Sequence, residues 1–558
     1  MLSFLGDTSG GLPPVYQPAY LPWYDPLDTM ASFAHRLTYF KPYALWVKGI
    51  PQYEELESAP SPASQEVYLL RHVPILWTEK PYTRIRFDQS SRRTQLLSLS
   101  HGQTFRRRGG LSLVYKRRTR EGEYVGQTSD HYSAGGAIYA LLRPHLWLRA
   151  EGVWNQLQDQ INGGVLFDTS ASPWDAFQKE RQPVRLMSLR WRRWYRYVRS
   201  EVGFRISHRF FLTATGEVGE NRLLCSSPPA LQVGSPFVQE TLAFQSNLQQ
   251  TWHKGTLTLR WDSWQMEMRF QRLTGAGSPL FRSWNLLSLE TQSHIQLSFL
   301  TTYAYYRMWL TPEAPPPAFG LWAEGYFRSY RIGAAYHSRN LPWLTYRSAL
   351  VQQVPPNERF SRLWVKYTFP SRDTTILPLQ ITGWGTLYER PWLWESTPHS
   401  GSSLLLYGIT CEGGLSWPNI GIISGLTLQK IYSTAGSSPW ASILPLLSGW
   451  VQIFWQGQLP GRPPVYQVGV RLSGFSSFRL LAYEPHLGLY YLPPTPFPPQ
   501  PAYMWVDPYL SIHIRRVMVY LRIERATENL IDKGYYLTAW YPMPGRAFAF
   551  GVQWDIYN

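Results

Sequence analysis

The chain has 558 residues, with 54 Lys and Arg against 37 Asp and Glu, a formal net charge of +17, and 16% aromatic and 16% charged residues. Ordinary soluble domains carry roughly 25% charged residues, so this composition argues against a string of them. Mean hydropathy is −0.28, and the longest charge-free run, between Lys430 and Arg462, is broken by Pro439, Pro445 and Pro460; a bundle of membrane helices, each needing about 20 apolar residues, is excluded.

Residues 1–77 are rich in Pro, Gly and Tyr and alternate little. They read as a non-barrel N-terminal segment, periplasmic or partly lumenal, with a loop from Tyr53 to Gln65. Met1 to Asp7 has neither a basic start nor an apolar run, so it is no export signal. From Thr78 onward, short runs alternate in polarity as strands do when one face is apolar. Leu97 and Leu99 alternate with Ser98 and Ser100. Leu257, Leu259 and Trp261 alternate with Thr256, Thr258 and Arg260. After Asp262-Ser263 the phase flips to Trp264, Met266, Met268 and Phe270, which marks a turn or a bulge.

Turn signals separate the runs: Arg108-Gly109-Gly110, Asn162-Gly163-Gly164 (read as a hairpin), Gly275 to Pro279, Pro312 to Pro317 and Pro493 to Pro501. The run Arg190-Trp191-Arg192-Arg193-Trp194-Tyr195-Arg196-Tyr197 interleaves cations with aromatics. Nucleic acid could use such a run through phosphate contacts and stacking. The recurring alternation favours a barrel wall, in which Arg190, Arg192 and Arg196 share one face, towards the lumen or lipopolysaccharide phosphates, and Arg193 takes the other. Aromatics near strand ends, as in Trp191 to Tyr197, Tyr303 to Trp309 and Trp392 to Trp394, read as interfacial girdles. Near the end, Val517, Val519, Leu521 and Ile523 oppose Arg516, Met518, Arg522 and Glu524, which makes Arg516, Arg522 and Glu524 candidate lumen residues.

The last strand is the clearest. Phe548, Phe550, Val552, Trp554 and Ile556 fall on one face, and Ala547, Ala549, Gly551, Gln553 and Asp555 on the other. An aromatic face ending the chain reads as the closing, insertion-competent strand of an outer-membrane barrel, greasy without and wet within. The fold expected is therefore all-β: a single transmembrane antiparallel β-barrel over 78–558. At roughly 30 residues per strand and loop, it should have about 16 strands, with 14 and 18 open.

Five segments together resemble the Bacteroidetes-type putative porin family of outer-membrane β-barrels: Leu5 to Gly10, Thr78-Glu79-Lys80-Pro81-Tyr82-Thr83, Ser100-His101-Gly102-Gln103, Asn162-Gly163-Gly164-Val165, and Tyr541-Pro542-Met543-Pro544-Gly545-Arg546 with Phe548, Gly551 and Trp554. The last is the most specific. The chain departs from the pattern at Trp77, at Gly102 and in its final Tyr557-Asn558. The resemblance implies an outer-membrane location, outer-membrane lipid, lipopolysaccharide and the barrel-assembly machinery as partners, and an export signal upstream of Met1.

No Gly-x-Ser-x-Gly elbow, His-Glu-x-x-His, Walker loop or dinucleotide fingerprint occurs. Cys225 and Cys411 stand far apart and form no metal or disulfide pattern. Asp130-His131 is the one adjacent acid–imidazole pair, and it reads as a polar loop pair. No enzyme, catalytic residue, cofactor, metal or nucleic-acid partner is expected. Two functions compete. One is a porin passing small hydrophilic solutes with an anion preference from lumenal Arg. The other is a non-conducting structural or assembly barrel. A plugged TonB-dependent type of transporter ranks lower, because residues 1–77 are short for a plug. Solute and oligomeric state are not legible.

Overall fold

A computed structural model gives the fold. It describes residues 46–47, 50–51, 69–70 and 72–75 and, between 80 and 557, the strands named below with most of the turns joining them; 166–183, 228–243, 341–356 and 390–402 are the longest stretches outside that description.

Two short strands, β1 (Trp46–Val47) and β2 (Ile50–Pro51), pair with each other. The wall then begins with β3 (Tyr82–Ser90), β4 (Thr94–Phe105), β5 (Gly109–Arg120), β6 (Ser129–Arg143), β7 (Leu146–Ile161), β8 (Leu189–Arg205) and β9 (Phe210–Ser227). It continues through β10 (Phe244–Trp261), β11 (Trp264–Ser278), β12 (Trp284–Gln296), β13 (Leu300–Trp309), β14 (Ala318–Phe327), β15 (Tyr330–Asn340) and β16 (Asn357–Thr368). Next come β17 (Ile376–Glu389), β18 (Leu404–Ser416), β19 (Ile420–Ser433), β20 (Leu447–Gly457) and β21 (Tyr466–Phe475). A hairpin of β22 (Ala482–Glu484) and β23 (Leu489–Tyr491) intervenes before β24 (Tyr503–Ile514) and β25 (Val517–Glu524). A second small pair, β26 (Tyr536–Thr538) and β27 (Tyr541–Pro542), precedes the last strand, β28 (Ala547–Tyr557).

Among the described residues, 22 antiparallel strands close into one barrel, β28 pairing with β25 on one side and β3 on the other. Closure matters physically, because it leaves no unpaired strand edge to be satisfied in lipid. The expectation of about 16 strands is corrected to 22. The error lies in the connections. Asp262 and Ser263 alone join β10 to β11, and Arg328 and Ser329 join β14 to β15. Asp262 (φ 53°) and Arg328 (φ 52°) take the left-handed backbone that such tight turns demand. A fixed allowance of loop per strand therefore undercounts.

The two ends of the barrel differ. Tight turns collect at the end where Tyr557 lies beside Tyr82. The long connections 162–188, 228–243, 341–356 and 476–502 leave from the other end. The outer face is apolar: Val198, Leu321, Ile332 and Leu363 are each more than half exposed. At the tight-turn end it carries a ring of exposed aromatics, among them Trp261, Phe299, Phe327, Trp417 and Trp554. In β28, Phe548 (52% exposed) and Trp554 (49%) point out, while Ala547, Ala549 and Gly551 are buried inside. The faces assigned to that strand from sequence are those of the structure, with Phe550 and Ile556 on the outward side. The girdle reading fails at Trp191, Tyr195, Tyr197, Tyr303 and Tyr305, which are buried on the inner face. Trp392 to Trp394 lie outside the described residues.

Candidate functional site

The candidate site is the inner face, and its wall is charged. Glu290 of β12 stands directly opposite Arg269 of β11 and Arg307 of β13. Arg269 reaches Glu290 at 3.4 Å and Glu267 at 2.8 Å, and Arg307 pairs with Glu290. On the neighbouring strands, Lys254 lies 3.5 Å from Glu217, which also accepts from the Trp252 indole N–H at 2.8 Å. Further round, Arg149 pairs with Glu151 at 2.6 Å, Arg86 with Asp88 at 2.6 Å and Arg84 with Asp555 at 2.7 Å. Such groups could not face lipid; an inward position lets each cation meet a carboxylate.

Aromatic side chains also point inward, and their packing decides how much room they take. Trp147 stands opposite Gly203, Trp252 opposite Gly219, Trp364 opposite Gly333 and Phe454 opposite Gly421. In each pair the ring lies over the glycine, in the space a Cβ would fill. The missing side chain on one strand lets the ring of the next lie along the wall rather than across the bore. Nothing local in the sequence signalled this partnership; the cross-strand register was needed.

A stretch of the N-terminal segment lies on this wall. The Leu70 amide donates to Asn155 Oδ1 at 2.8 Å, and Asn155 Nδ2 donates back to the Leu70 carbonyl at 2.9 Å. Arg149 donates to the Val73 carbonyl at 3.3 Å, and His72 lies 3.7 Å from Glu151. Leu69, Leu70 and Val73 pack with Val153, Leu157, Tyr197 and Trp252. Gly135 makes room: a Cβ there would come within 2.7 Å of Val73. We call Leu69 and Leu70 with His72 to Ile75 the strap. Asn155, in mid-strand and without a motif, gave no sequence signal.

At the long-loop end, connections from distant strands meet. The Val165 amide, after β7, donates to the Trp540 carbonyl, before β28, at 2.7 Å. Gly164 (φ +94°) lies against Trp540. The Tyr536 amide donates to Gln500 Oε1 at 2.7 Å, and Trp505 stacks on Tyr535 with centroids 5.6 Å apart. Two resemblance segments, Asn162–Val165 and the one starting at Tyr541, are thus brought together through Trp540. The expected hairpin at Asn162 is corrected: β7 ends at Ile161 and β8 begins only at Leu189, so Gly164 serves a close approach to Trp540. Two more of the segments meet at the other end, where Thr83 Oγ1 lies 2.8 Å from His101 Nδ1. Leu5 to Gly10 lies outside the described residues.

The other sequence candidates separate. Arg522 is buried on the inner face and pairs with Glu524, which also lies 3.7 Å from Arg525. Arg516 is exposed in the tight turn before β25. Arg190 and Arg196 are exposed on the outward face they share with Val198 and Phe204, and Arg192 lies on that face too. The lumenal assignment of Arg190 and Arg192 is corrected; inward stand Trp191, Arg193, Tyr195 and Tyr197. The rule that polar means inward holds only within the lipid band, and β8, with 17 residues, is longer than a membrane crossing requires. Asp130 and His131 face opposite sides. Asp130 meets Arg117 outside at 3.5 Å, and His131 meets Asp159 inside at 2.8 Å. Among the described residues, no cluster could hold a metal ion.

Comparison with known proteins agrees with this architecture. No curated protein matches the chain in sequence. Among solved structures, the ferripyoverdine receptor of the Pseudomonas aeruginosa outer membrane is similar, with 12% identity, 86% of this chain, 72% of that one and a TM-score of 0.61. So is the Neisseria meningitidis FrpB iron transporter, with 9% identity, 86% and 82% coverage and a TM-score of 0.61. The E. coli K12 ferric-catecholate import receptor Fiu gives 10% identity, 86% and 82% coverage and 0.60. At these identities the likeness is one of fold. The family signal comes from the closing strands and the loops they carry: residues 443–558 match the family described as Putative porin.

Proposed function

We propose that the chain is an outer-membrane channel for the passive passage of small hydrophilic solutes, with its bore set by the charged inner wall and narrowed by its own strap. The tight-turn end faces the periplasm and the long-loop end the exterior, the usual arrangement of such barrels. The observation that carries the reading is the flat packing of inward rings over cross-strand glycines, which keeps their bulk against the wall. Phe548, Phe550, Trp554 and Ile556 of β28 present the outward face that the barrel-assembly machinery would meet.

The anion preference expected from sequence is weak in this reading. Arg84, Arg86, Arg149, Lys254, Arg269 and Arg307 each stand within 4 Å of a carboxylate, and this pairing tempers the preference. The test is swelling of proteoliposomes in neutral sugars of graded size. Uptake that falls steeply with sugar size supports the channel. No uptake from folded barrels overturns it and favours the non-conducting reading, which draws on the strap and the Trp540 contacts at the mouth.

A further inference from the structure

The strap lies on one side of the bore, and Trp252, against which it packs, is fully buried. β17 stands eleven strands on from β6, halfway round the 22-strand wall. There Trp364 of β16 and Trp384 of β17 are directly opposite each other, on the inner face, and both are partly exposed. Their rings turn away from each other. Trp364 lies over Gly333 of β15, and Trp384 lies 2.8 Å from where a Cβ of Gly408 on β18 would stand. Each ring therefore has one face against backbone and the other towards the bore. Trp322 of β14 extends the surface, stacked on Trp364 with centroids 6.1 Å and planes 20° apart. The Arg362 guanidinium lies 5.8 Å from the Trp364 centroid and 5.8 Å from that of Trp384. The indole N–H groups are engaged along the wall, Trp364 donating to Glu324 at 3.1 Å and Trp384 to Thr410 at 3.4 Å. What the two rings offer the bore is their electron-rich π face.

Two cations border these rings. Lys366 follows Trp364 by two residues and shares its face, and Arg331 of β15 stands opposite Lys366. Arg331 is exposed, with its guanidinium 5.3 Å from the Tyr326 ring centroid. Among the described residues, neither cation has a carboxylate within 4 Å. Glu324 and Glu412, whose charges act on Lys366, belong to strands two away on either side. This sets Arg331 and Lys366 apart from the paired cations described above. The wall here combines flat aromatic faces with positive charge that no neighbouring carboxylate contacts.

We propose that this part of the wall binds acidic saccharides, solutes whose sugar rings carry a carboxylate. The C–H face of a pyranose lies on the π face of Trp364 or Trp384, and Lys366 and Arg331 take the carboxylate, Arg331 in bidentate fashion. A small anion without a sugar ring would use the cations and leave the ring faces bare. A neutral saccharide would use the rings and leave the cations without a counter-charge. The inference deepens the channel reading, on which it rests, by naming the class of solute that the bore holds.

The test is isothermal titration calorimetry of the detergent-solubilised full chain with trigalacturonate, maltotriose and citrate as probes. Maltotriose matches the acid trisaccharide in size, and citrate matches it in number of carboxylates. Trigalacturonate should bind about tenfold or more tighter than either, since only it makes both kinds of contact. Arg331→Gln with Lys366→Gln should bring trigalacturonate down to the level of maltotriose, and Trp384→Ala should weaken both saccharides. Heat-modifiable migration reports that each variant barrel is folded. If Trp384→Ala is not, Trp384→Leu replaces it, keeping apolar bulk without the ring face, and should still weaken both. Binding of citrate or maltotriose equal to that of trigalacturonate, no heat with trigalacturonate, or affinity unchanged in folded variants overturns the proposal. Heat is read without current, so the two failures separate: silent bilayers from a chain that binds trigalacturonate overturn the channel and support the site, and conducting bilayers from a chain that does not bind it overturn the site alone.

Discussion

Leu70 and Asn155 hold each other by two hydrogen bonds, amide to Oδ1 at 2.8 Å and Nδ2 to carbonyl at 2.9 Å. A backbone peptide from ahead of the first wall strand is thereby fixed to the inside of β7 by one buried side chain. Asn155→Ala leaves both peptide groups of Leu70 without that partner, at a cost of about 1–3 kcal/mol. The strap should loosen while the wall stays intact. Limited proteolysis within the strap should accelerate, with unchanged heat-modifiable migration of the barrel.

The opposite approach loads the strap with bulk. Gly135→Leu places atoms where Val73 and Leu70 now pack, 2.7 and 3.1 Å from the new Cβ. The strap should be expelled although every polar side chain of the wall is kept. Swelling rates for the larger sugars should rise, as in Asn155→Ala; a rise in only one of the two variants would mean that the strap is not what narrows the bore.

Glu290 separates two guanidinium groups inside the barrel. Glu290→Gln leaves Arg269 and Arg307 facing each other with less compensation. Breaking a buried pair costs about 3–5 kcal/mol, and the partial exposure of Arg269 lowers that figure. The thermal midpoint should drop, and the reversal potential in a salt gradient should move towards anions. A shift towards cations would contradict the lumenal placement of the triad.

Gly333→Val tests the flat rings. The new side chain takes the space in which the Trp364 ring lies. Overpacking of this kind costs about 1–3 kcal/mol, and the ring must swing towards the bore. Conductance should fall in a barrel that still folds. An unchanged conductance would mean that Trp364 lies away from the conducting path.

Much of the wall was legible in the sequence, because alternation survives wherever one face meets lipid. β28 gave both faces, and Asp262-Ser263 gave a turn. The strand number was not legible, since a two-residue turn leaves the same phase flip as a bulge. Arg190 and Arg192 were misplaced for a related reason. Polarity reports direction only at membrane depth, and above it arginine faces outward into water as readily as inward. The strap and the Gly164–Trp540 contact were hidden because both join residues far apart in the chain, with no local signal beyond a glycine.

The most direct measurement is single-channel recording of the purified full chain in planar bilayers, with Asn155→Ala alongside. Discrete, weakly ion-selective steps are expected from the natural chain, and larger steps from the variant. Silent, correctly folded barrels in both cases would contradict the channel.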